Sequence, residues 1–367
     1  MTTDYMREAL DLARQGEGRT SPNPAVGALL VRDGRVVGRG YHTWAGIKHA
    51  EVLALEEARE NARGATLYIN LEPCSHHGRT GPCTEALIAA GVSRVVFAAA
   101  DPNPLVSGTG SRRLREAGVA VEIASEYSGE AERLNQAFMH FMARGLPLVS
   151  LKAAVTLDGK ISAPDDNQGW ITSEVARAHA HQLRHRSDAI LTGIGTVIAD
   201  DCLLTDRTGL ERGRPFLRII LDSQLRLPPG SRIVESCHDD VLVATTSAAS
   251  PERRRVLEDR GVKIITLDGH GGRTDMRRLL DYLAREKYLS LMIEAGSKVN
   301  WAALESEVVD KIFFYYAPKI LGGLHSLPVV GGVGRRRRSD AIVFRDVVLH
   351  HISQDEFAVE AWLVKGV

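Results

Sequence analysis

Four cysteines in 367 residues are too few for a disulfide framework. No apolar run comes near the ~18 residues that a membrane-spanning helix requires. The start, Met1-Thr2-Thr3-Asp4, lacks the basic-then-apolar pattern of a secretion signal. Net charge is absent as well, because 46 basic and 46 acidic side chains cancel. No global field exists to hold a phosphate backbone, which disfavours nucleic acid as a partner. A strand–GxGxxG–helix dinucleotide fingerprint is also missing: Gly38-x-Gly40 leads into no helix, and it and Gly108-x-Gly110 both read as turns. What is present is a globular composition, 44% hydrophobic and 25% charged, and a length that at ~150 residues per domain suggests two domains. The expectation is a reduced, cytoplasmic, soluble protein with no membrane association.

Strand and helix patterns alternate along most of the chain. Tyr5, Met6, Ala9, Leu10 and Ala13 recur at a helical period. Asp33-Gly34 between two apolar runs signals a type I′ hairpin. A helix is expected near 49–61, strands at 65–70, 94–99 and 119–124, and helices at 110–117 and 128–143. Gly145-Leu146-Pro147 breaks the pattern, so the domain boundary is expected near residue 146. The second half continues with helices at 173–184, 250–260, 274–286 and 297–304. Its strands are expected at 148–154, 188–193, 216–221, 240–245, 262–267 and 289–294, with a strand-rich stretch from Asp310. The fold class is α/β, two domains in series, 1–145 and 146–367. The Gly331-Gly332-Val333-Gly334 stretch followed by four arginines, 335–338, reads as a solvated loop, with a phosphate patch as the alternative.

One constellation carries chemistry. His49-Ala50-Glu51 opens a helix, and Pro73-Cys74 and Pro82-Cys83 follow the next strand. One imidazole and two thiolates are three ligands for Zn²⁺, which leaves a fourth position for a water made acidic by the metal. Pro73 and Pro82 suit first-turn positions, so both thiolates are expected at helix starts, where the dipole favours the ionised form. Glu51 is the expected catalytic residue, taking the water proton and passing it to a leaving amine. His-x-Glu with Pro-Cys…Cys is the signature of zinc base deaminases, although C-x8-C replaces their C-x-x-C. A closed structural zinc using His42, His76 or His77 as fourth ligand is the alternative.

The wording of several segments goes further. Ser21-Pro22-Asn23-Pro24-Ala25-Val26-Gly27, Ala45-Gly46-Ile47-Lys48-His49-Ala50-Glu51, the run from Glu72 to Cys83, and Asp101-Pro102-Asn103-Pro104 resemble the bifunctional riboflavin-biosynthesis deaminase–reductases. So do Ser150-Leu151-Lys152, Thr156-Leu157-Asp158-Gly159-Lys160-Ile161, Trp170-Ile171-Thr172-Ser173, residues 193–201, Ile220-Leu221-Asp222-Ser223 and Glu294-Ala295-Gly296. The resemblance covers nearly the whole chain, and within it the C-x8-C spacing is the rule. It implies a cytidine-deaminase-like three-layer domain followed by a dihydrofolate-reductase-like α/β domain. It also implies two steps: zinc-dependent deamination of 2,5-diamino-6-ribosylamino-pyrimidinone 5′-phosphate, then NADPH-dependent reduction of the ribosyl side chain to ribityl.

Residue by residue, the resemblance places Asn23 on the pyrimidine and Ala154, Trp170, Thr196, Asp200, Ser223 and Gly296 at NADPH. Gln168, Arg184, Leu204, Arg207 and Glu294 would line the reductase substrate, the arginines gripping its phosphate, with Lys152 near the carbon that is reduced. Taken alone, Trp170 would be a core residue and Arg184 part of a solvated helix face. The resemblance also implies a homo-oligomer. The rival reading is a single-activity zinc nucleobase deaminase, acting on RNA or DNA bases, with a non-catalytic second domain; zero net charge argues against it.

Overall fold

The apolar period near the N-terminus becomes α1 (Tyr5–Arg14) in the computed structural model, with Met6, Ala9, Leu10 and Ala13 buried along one side. Residues 4–43, 48–75, 81–102, 107–165 and 169–365 are described. The chain divides into two units, Met1–Gly145 with Glu211–Arg214, and Leu146–Leu210 with Pro215–Val367.

The first unit is built on β1 (Gly27–Arg32), β2 (Arg35–Tyr41), β3 (Thr66–Leu71), β4 (Arg94–Ala99) and β5 (Ala120–Ile123), in the order β2-β1-β3-β4-β5. β1 runs antiparallel to β2 and β3, whereas β3, β4 and β5 are parallel. The β1–β2 turn has Asp33 and Gly34 at φ 51° and 71°, the two positive values that a type I′ hairpin requires. Three helices cover one face: α2 (Ala50–Ala58), α3 (Cys83–Ala89) and α4 (Thr109–Glu116). On the other face α1 packs with α5 (Ser128–Leu134) and α6 (Gln136–Arg144), which completes three layers.

Two expectations are corrected here. The helix expected over 128–143 is two helices, because Asn135 turns its buried amide onto Ala25, accepting from its N–H and donating to its carbonyl. Gly38 and Gly40 are not turn residues but lie within β2. A Cβ at either position would meet the carbonyl oxygens of Ala54 and Ala50 at 2.1 and 2.2 Å. Their missing side chains let α2 rest directly on the strand, helped by buried Ala50, Ala54 and Ala58.

The second unit starts with β6 (Leu148–Thr156), β7 (Lys160–Ser162), α7 (Glu174–His185), β8 (Ala189–Gly193), α8 (Ile194–Asp200) and β9 (Leu217–Leu221). It continues through α9 (Arg232–Glu235), β10 (Val241–Thr245), α10 (Pro251–Glu258), β11 (Lys263–Thr266), α11 (Met276–Arg285), β12 (Ser290–Ile293) and α12 (Ser297–Glu305). It ends with β13 (Lys311–Ala317), β14 (Leu327–Pro328), β15 (Phe344–His351) and β16 (Phe357–Leu363). Nine strands form one sheet, β11-β10-β9-β8-β12-β6-β13-β16-β15, parallel from β11 to β13 and antiparallel thereafter. β7 and β14 pair separately.

Helix α8 has no counterpart in the sequence pattern. Gly195 and the β-branched Thr196, Val197 and Ile198 weigh against helix, yet burial of Ile194 and Val197 in the core overrides that preference. Among the described residues no helix is long and apolar enough to cross a membrane.

Gly40→Ala is expected to destabilise the first unit by more than ~2 kcal/mol, since the new methyl meets backbone that cannot move aside. Gly129→Ala in α5, with only the Arg133 guanidinium 3.5 Å away, should be neutral or stabilising by up to ~1 kcal/mol. Urea unfolding of the two variants measures the contrast.

Candidate active sites

His49 is the N-cap residue of α2, so its imidazole stands at the mouth of the helix and not on its flank. Glu51, second in the helix, is 4% exposed. Cys83 is the first residue of α3, behind Pro82, and Cys74 lies in irregular chain after β3. The expected helix start at Cys74 is therefore not formed among the described residues. Cys74 instead faces the start of α3 from outside: the Cys83 N–H donates to its sulfur at 3.4 Å and the Thr84 N–H to its carbonyl at 3.2 Å. One helix N-terminus serves both sulfurs.

The three ligand atoms lie within 4.8 Å of one another, the one such His/Cys/Asp/Glu group among the described residues. His49 Nδ1 is 3.2 Å from Cys83 Sγ and 3.6 Å from Cys74 Sγ. Ordinary Zn–N and Zn–S bonds at a tetrahedral angle set these ligands about 3.5 Å apart, so the donor set fits zinc. A hydrogen bond from the Cys83 thiol, with His49 and the Cys83 amide, brings the Cys74 thiol down to about 4. The same bond to Cys74, then burial and Glu51, pushes the Cys83 thiol up. Bonding to Cys74 raises His49. Burial, then the Cys74 charge, raises the Glu51 carboxyl against the opposing pull of His49.

His42, 5% exposed, is not a fourth ligand. Its Nδ1 donates to the Lys48 carbonyl at 3.1 Å, which leaves Nε2 to accept from Asn23 Nδ2 at 3.2 Å. Its ring meets His49 edge-on at 5.6 Å. Asn23 thus stands beside the cluster through His42. His76 and His77 lie outside the described residues.

Sequence reasoning missed Glu72. Its carboxylate, 4% exposed, accepts from the N–H groups of Gly108 (3.1 Å) and Ser111 (2.9 Å) and from the Ser111 hydroxyl (2.8 Å). Gly110 belongs to this contact: a Cβ there would lie 2.2 Å from the Pro73 carbonyl oxygen. Ser75 and Thr109 close it from the other side, their hydroxyls 2.6 Å apart. The first turn of α4 therefore grips the chain on both sides of Cys74. An acidic residue directly before Pro-Cys was the available signal.

In the second unit, Val149, Leu151, Ala153 and Val155 of β6 enter the core, and the alternation turns Lys152 and Ala154 to the opposite face. Lys152 Nζ donates to Glu294 Oε1 at 2.9 Å, just past β12, and lies 5.6 Å over the Tyr315 ring. Arg184 of α7 forks onto the same carboxylate at 3.0 and 2.9 Å and donates to the Thr205 carbonyl. Burial would raise the Glu294 carboxyl, but Lys152 and Arg184 outweigh it and hold it well below the usual range. Arg184 is thus 15% exposed and carboxylate-bound, not part of a solvated helix face. Asp206 spends its carboxylate on His185 Nδ1 and the Thr208 N–H, at 2.8 and 2.9 Å.

Ala154, Thr196, Ser223 and Gly296 stand at or just past the carboxyl ends of β6, β8, β9 and β12, the edge where open parallel sheets bind ligands. Gly193 and Gly296 are the N-caps of α8 and α12, and neither helix has a side-chain cap. A Cβ on Gly296 would come 3.8 Å from Thr196 Oγ1, and one on Gly193 2.7 Å from the Val299 side chain, so the two helix starts are adjacent. Ser297 Oγ is buried there without a hydrogen-bond partner among the described residues. Unclaimed donors at paired helix N-termini fit the phosphates of a dinucleotide. Trp170 is 68% exposed, with Arg177 4.9 Å over its ring, not a core residue. Asp200 ends α8, and Leu204 and Arg207 follow it. Gln168 lies outside the described residues.

Comparison with known proteins adds two family matches: the cytidine and deoxycytidylate deaminase zinc-binding region over residues 1–99, and the RibD C-terminal domain over residues 147–355. The riboflavin biosynthesis protein RibD of Escherichia coli (strain K12) is 41% identical over 366 residues, covering 96% of each chain. That of Aquifex aeolicus is 39% identical over 353 residues, again 96% of each. Among solved structures, Acinetobacter baumannii RibD superposes with TM-score 0.84 at 35% identity, covering 98% of both chains. A diaminohydroxyphosphoribosylaminopyrimidine deaminase/5-amino-6-(5-phosphoribosylamino)uracil reductase from Thermotoga maritima gives 0.81 at 35% identity over the same shares.

Glu72→Ala removes the acceptor that ties α4 to Cys74, and zinc affinity is expected to fall ~10- to ~100-fold, as measured by chelator competition. For Glu294 the sign follows from a folded carboxyl held below its ordinary 4.5: its stabilisation is complete above that pH and is lost as pH falls below it. Glu294→Gln strands two buried cations and should cost about 3 kcal/mol at pH 7. The gap between variant and parent in thermal melts should narrow between about pH 5 and pH 3.

Proposed function

The chain belongs to the RibD family and is a bifunctional deaminase and reductase of riboflavin biosynthesis, and from that premise we propose which side chains carry each step. The observation that carries the deaminase assignment is the buried carboxylate of Glu51 packed against the His49–Cys74–Cys83 cluster.

His49 and the thiolates of Cys74 and Cys83 would hold the zinc. When bound, zinc supplies Lewis acidity and brings the pKa of a water towards neutrality. Glu51, buried beside the cluster, accepts the proton of the attacking water and delivers it to the departing amino nitrogen. The substrate class is the aminopyrimidinone ribotide, whose C2 amino group leaves as ammonia and is replaced by oxygen. Asn23, braced by His42 Nε2, orients the pyrimidine.

In the second unit, NADPH supplies the reducing equivalent when bound. The start of α12 at Gly296, with Thr196 of α8, receives its phosphates, and Ala154, Trp170, Asp200 and Ser223 complete the cofactor side. Lys152 stands beside the carbon that is reduced, its ammonium aimed by Glu294. Arg184 fixes Glu294 from the other side, and Gln168, Leu204 and Arg207 line the remainder of the substrate site. Four free cysteines suit a reducing, cytoplasmic setting. Self-association is supported by β15, an edge strand whose Val347, Val348 and Leu349 are exposed.

Glu51→Gln should lower ammonia release by ~100- to ~10,000-fold while metal analysis still finds one zinc per chain and NADPH oxidation with the deaminated ribotide continues. Undiminished ammonia release by that variant would refute the role of Glu51.

A further inference from the structure

The four arginines 335–338 have no part in either reaction, yet the chain that leads into them, and Arg335 itself, are held in a definite place. The glycine-rich chain before them is fastened to the first two turns of α12. Asn300 Nδ2 donates to the Val329 carbonyl at 2.7 Å, and the Gly331 N–H donates to the Ser297 carbonyl at 3.1 Å. A Cβ on Gly331 would lie 2.4 Å from Ser297 Oγ, and one on Gly332 2.1 Å from the Trp301 ring. The glycines are thus the only side-chain choice that lets this segment lie on the helix. The Arg335 guanidinium then sits 5.7 Å over the Trp301 ring. All four arginines are exposed, and none forms an ion pair among the described residues.

Four adjacent like charges repel one another, and the chain carries no net charge that would make the run part of a general basic surface. A merely solvated loop needs no such close packing onto a helix. The helix chosen is the one whose start carries unclaimed N–H groups and the unpartnered, buried Ser297 hydroxyl.

We propose that Arg335, Arg336, Arg337 and Arg338 form a phosphate-collecting surface beside the first turns of α12, recruiting a phosphorylated ligand of the reductase. This rests on the reductase reading above. The shared chemistry is a phosphomonoester or diphosphate; its two sources are NADPH and the pyrimidine ribotide. A cluster of one sign raises the encounter rate with an oppositely charged ligand, and salt suppresses that gain because the Debye length is ~8 Å at physiological ionic strength.

The test uses the full-length protein, with reductase kcat/KM for NADPH and, separately, for the ribotide, each followed from about 20 to about 300 mM KCl. The triple variant R336Q/R337Q/R338Q leaves Arg335 on Trp301. It is expected to lose roughly 10-fold in kcat/KM at the low-salt end for the ligand that the surface serves. Its salt dependence should flatten, and variant and parent should converge at high salt. The paired variant R253Q/R255Q removes exposed charge from α10 of the same unit and should keep the parental slope. Equal kcat/KM and equal slopes for the triple variant with both ligands overturn the proposal, as does an equal loss in the α10 pair. Failure of the parent itself to oxidise NADPH with the ribotide refutes the reductase reading instead.

Discussion

An imidazole nitrogen and two sulfurs held within 4.8 Å of one another are an unfavourable assembly unless a cation takes their lone pairs. Everything around the first site serves to hold that assembly in place. His49 comes from the mouth of α2, Cys83 from the start of α3, and Cys74 from the chain leaving β3. Close approaches of neighbouring elements set their surroundings. Gly38 and Gly40 lower α2 onto β2, the Cys83 and Thr84 amides fix Cys74 to α3, and Glu72 with Gly110 presses α4 against Pro73. The sheet supplies rigidity; the glycines and buried Glu72 supply the placement.

The second unit solves a different problem. The ligand positions proposed for it lie at or just past the carboxyl ends of four parallel strands, where helix starts present N–H donors. Dinucleotide-fingerprint glycines are unnecessary because Gly193 and Gly296 already serve as N-caps of two adjacent helices. The Lys152–Glu294–Arg184 group then provides tightly paired charges at that edge, and it ties β6, α7 and the end of β12 together.

What could be read in the sequence, and what could not, divides along physical lines. Amphipathic helices such as α1 and α11, and the Asp33-Gly34 hairpin, follow from local period and turn chemistry. The zinc ligands were legible because metal binding demands particular residue types at constrained spacings. Features decided by distant partners were not legible. Asn135 breaks a helix only because Ala25, 110 residues earlier, needs its amide. α8 forms against its own propensity because the core accepts Ile194 and Val197. Gly38 and Gly40 resemble turn glycines until the helix that lies on them is known, and Glu72 acquires a purpose only when α4 folds back to it. Arg184 and Trp170 mislead in opposite directions, one drawn inward by a carboxylate and the other left outside beneath a guanidinium.

The two buried carboxylates show how one chain obtains opposite behaviour from the same functional group. Glu51 has no cationic side chain forked onto its carboxylate as Glu294 has; burial and then the Cys74 charge raise its carboxyl against the opposing pull of His49. Glu294 is buried too, but Lys152 and Arg184 meet both of its oxygens, and it stays ionised well into acid. A group that must accept and return a proton during turnover requires the first environment. A group that must hold an ammonium in one position throughout turnover requires the second. Exchanging the two environments would disable both sites without changing either side chain, because a doubly paired Glu51 would be too weak a base and an unpaired Glu294 would release Lys152.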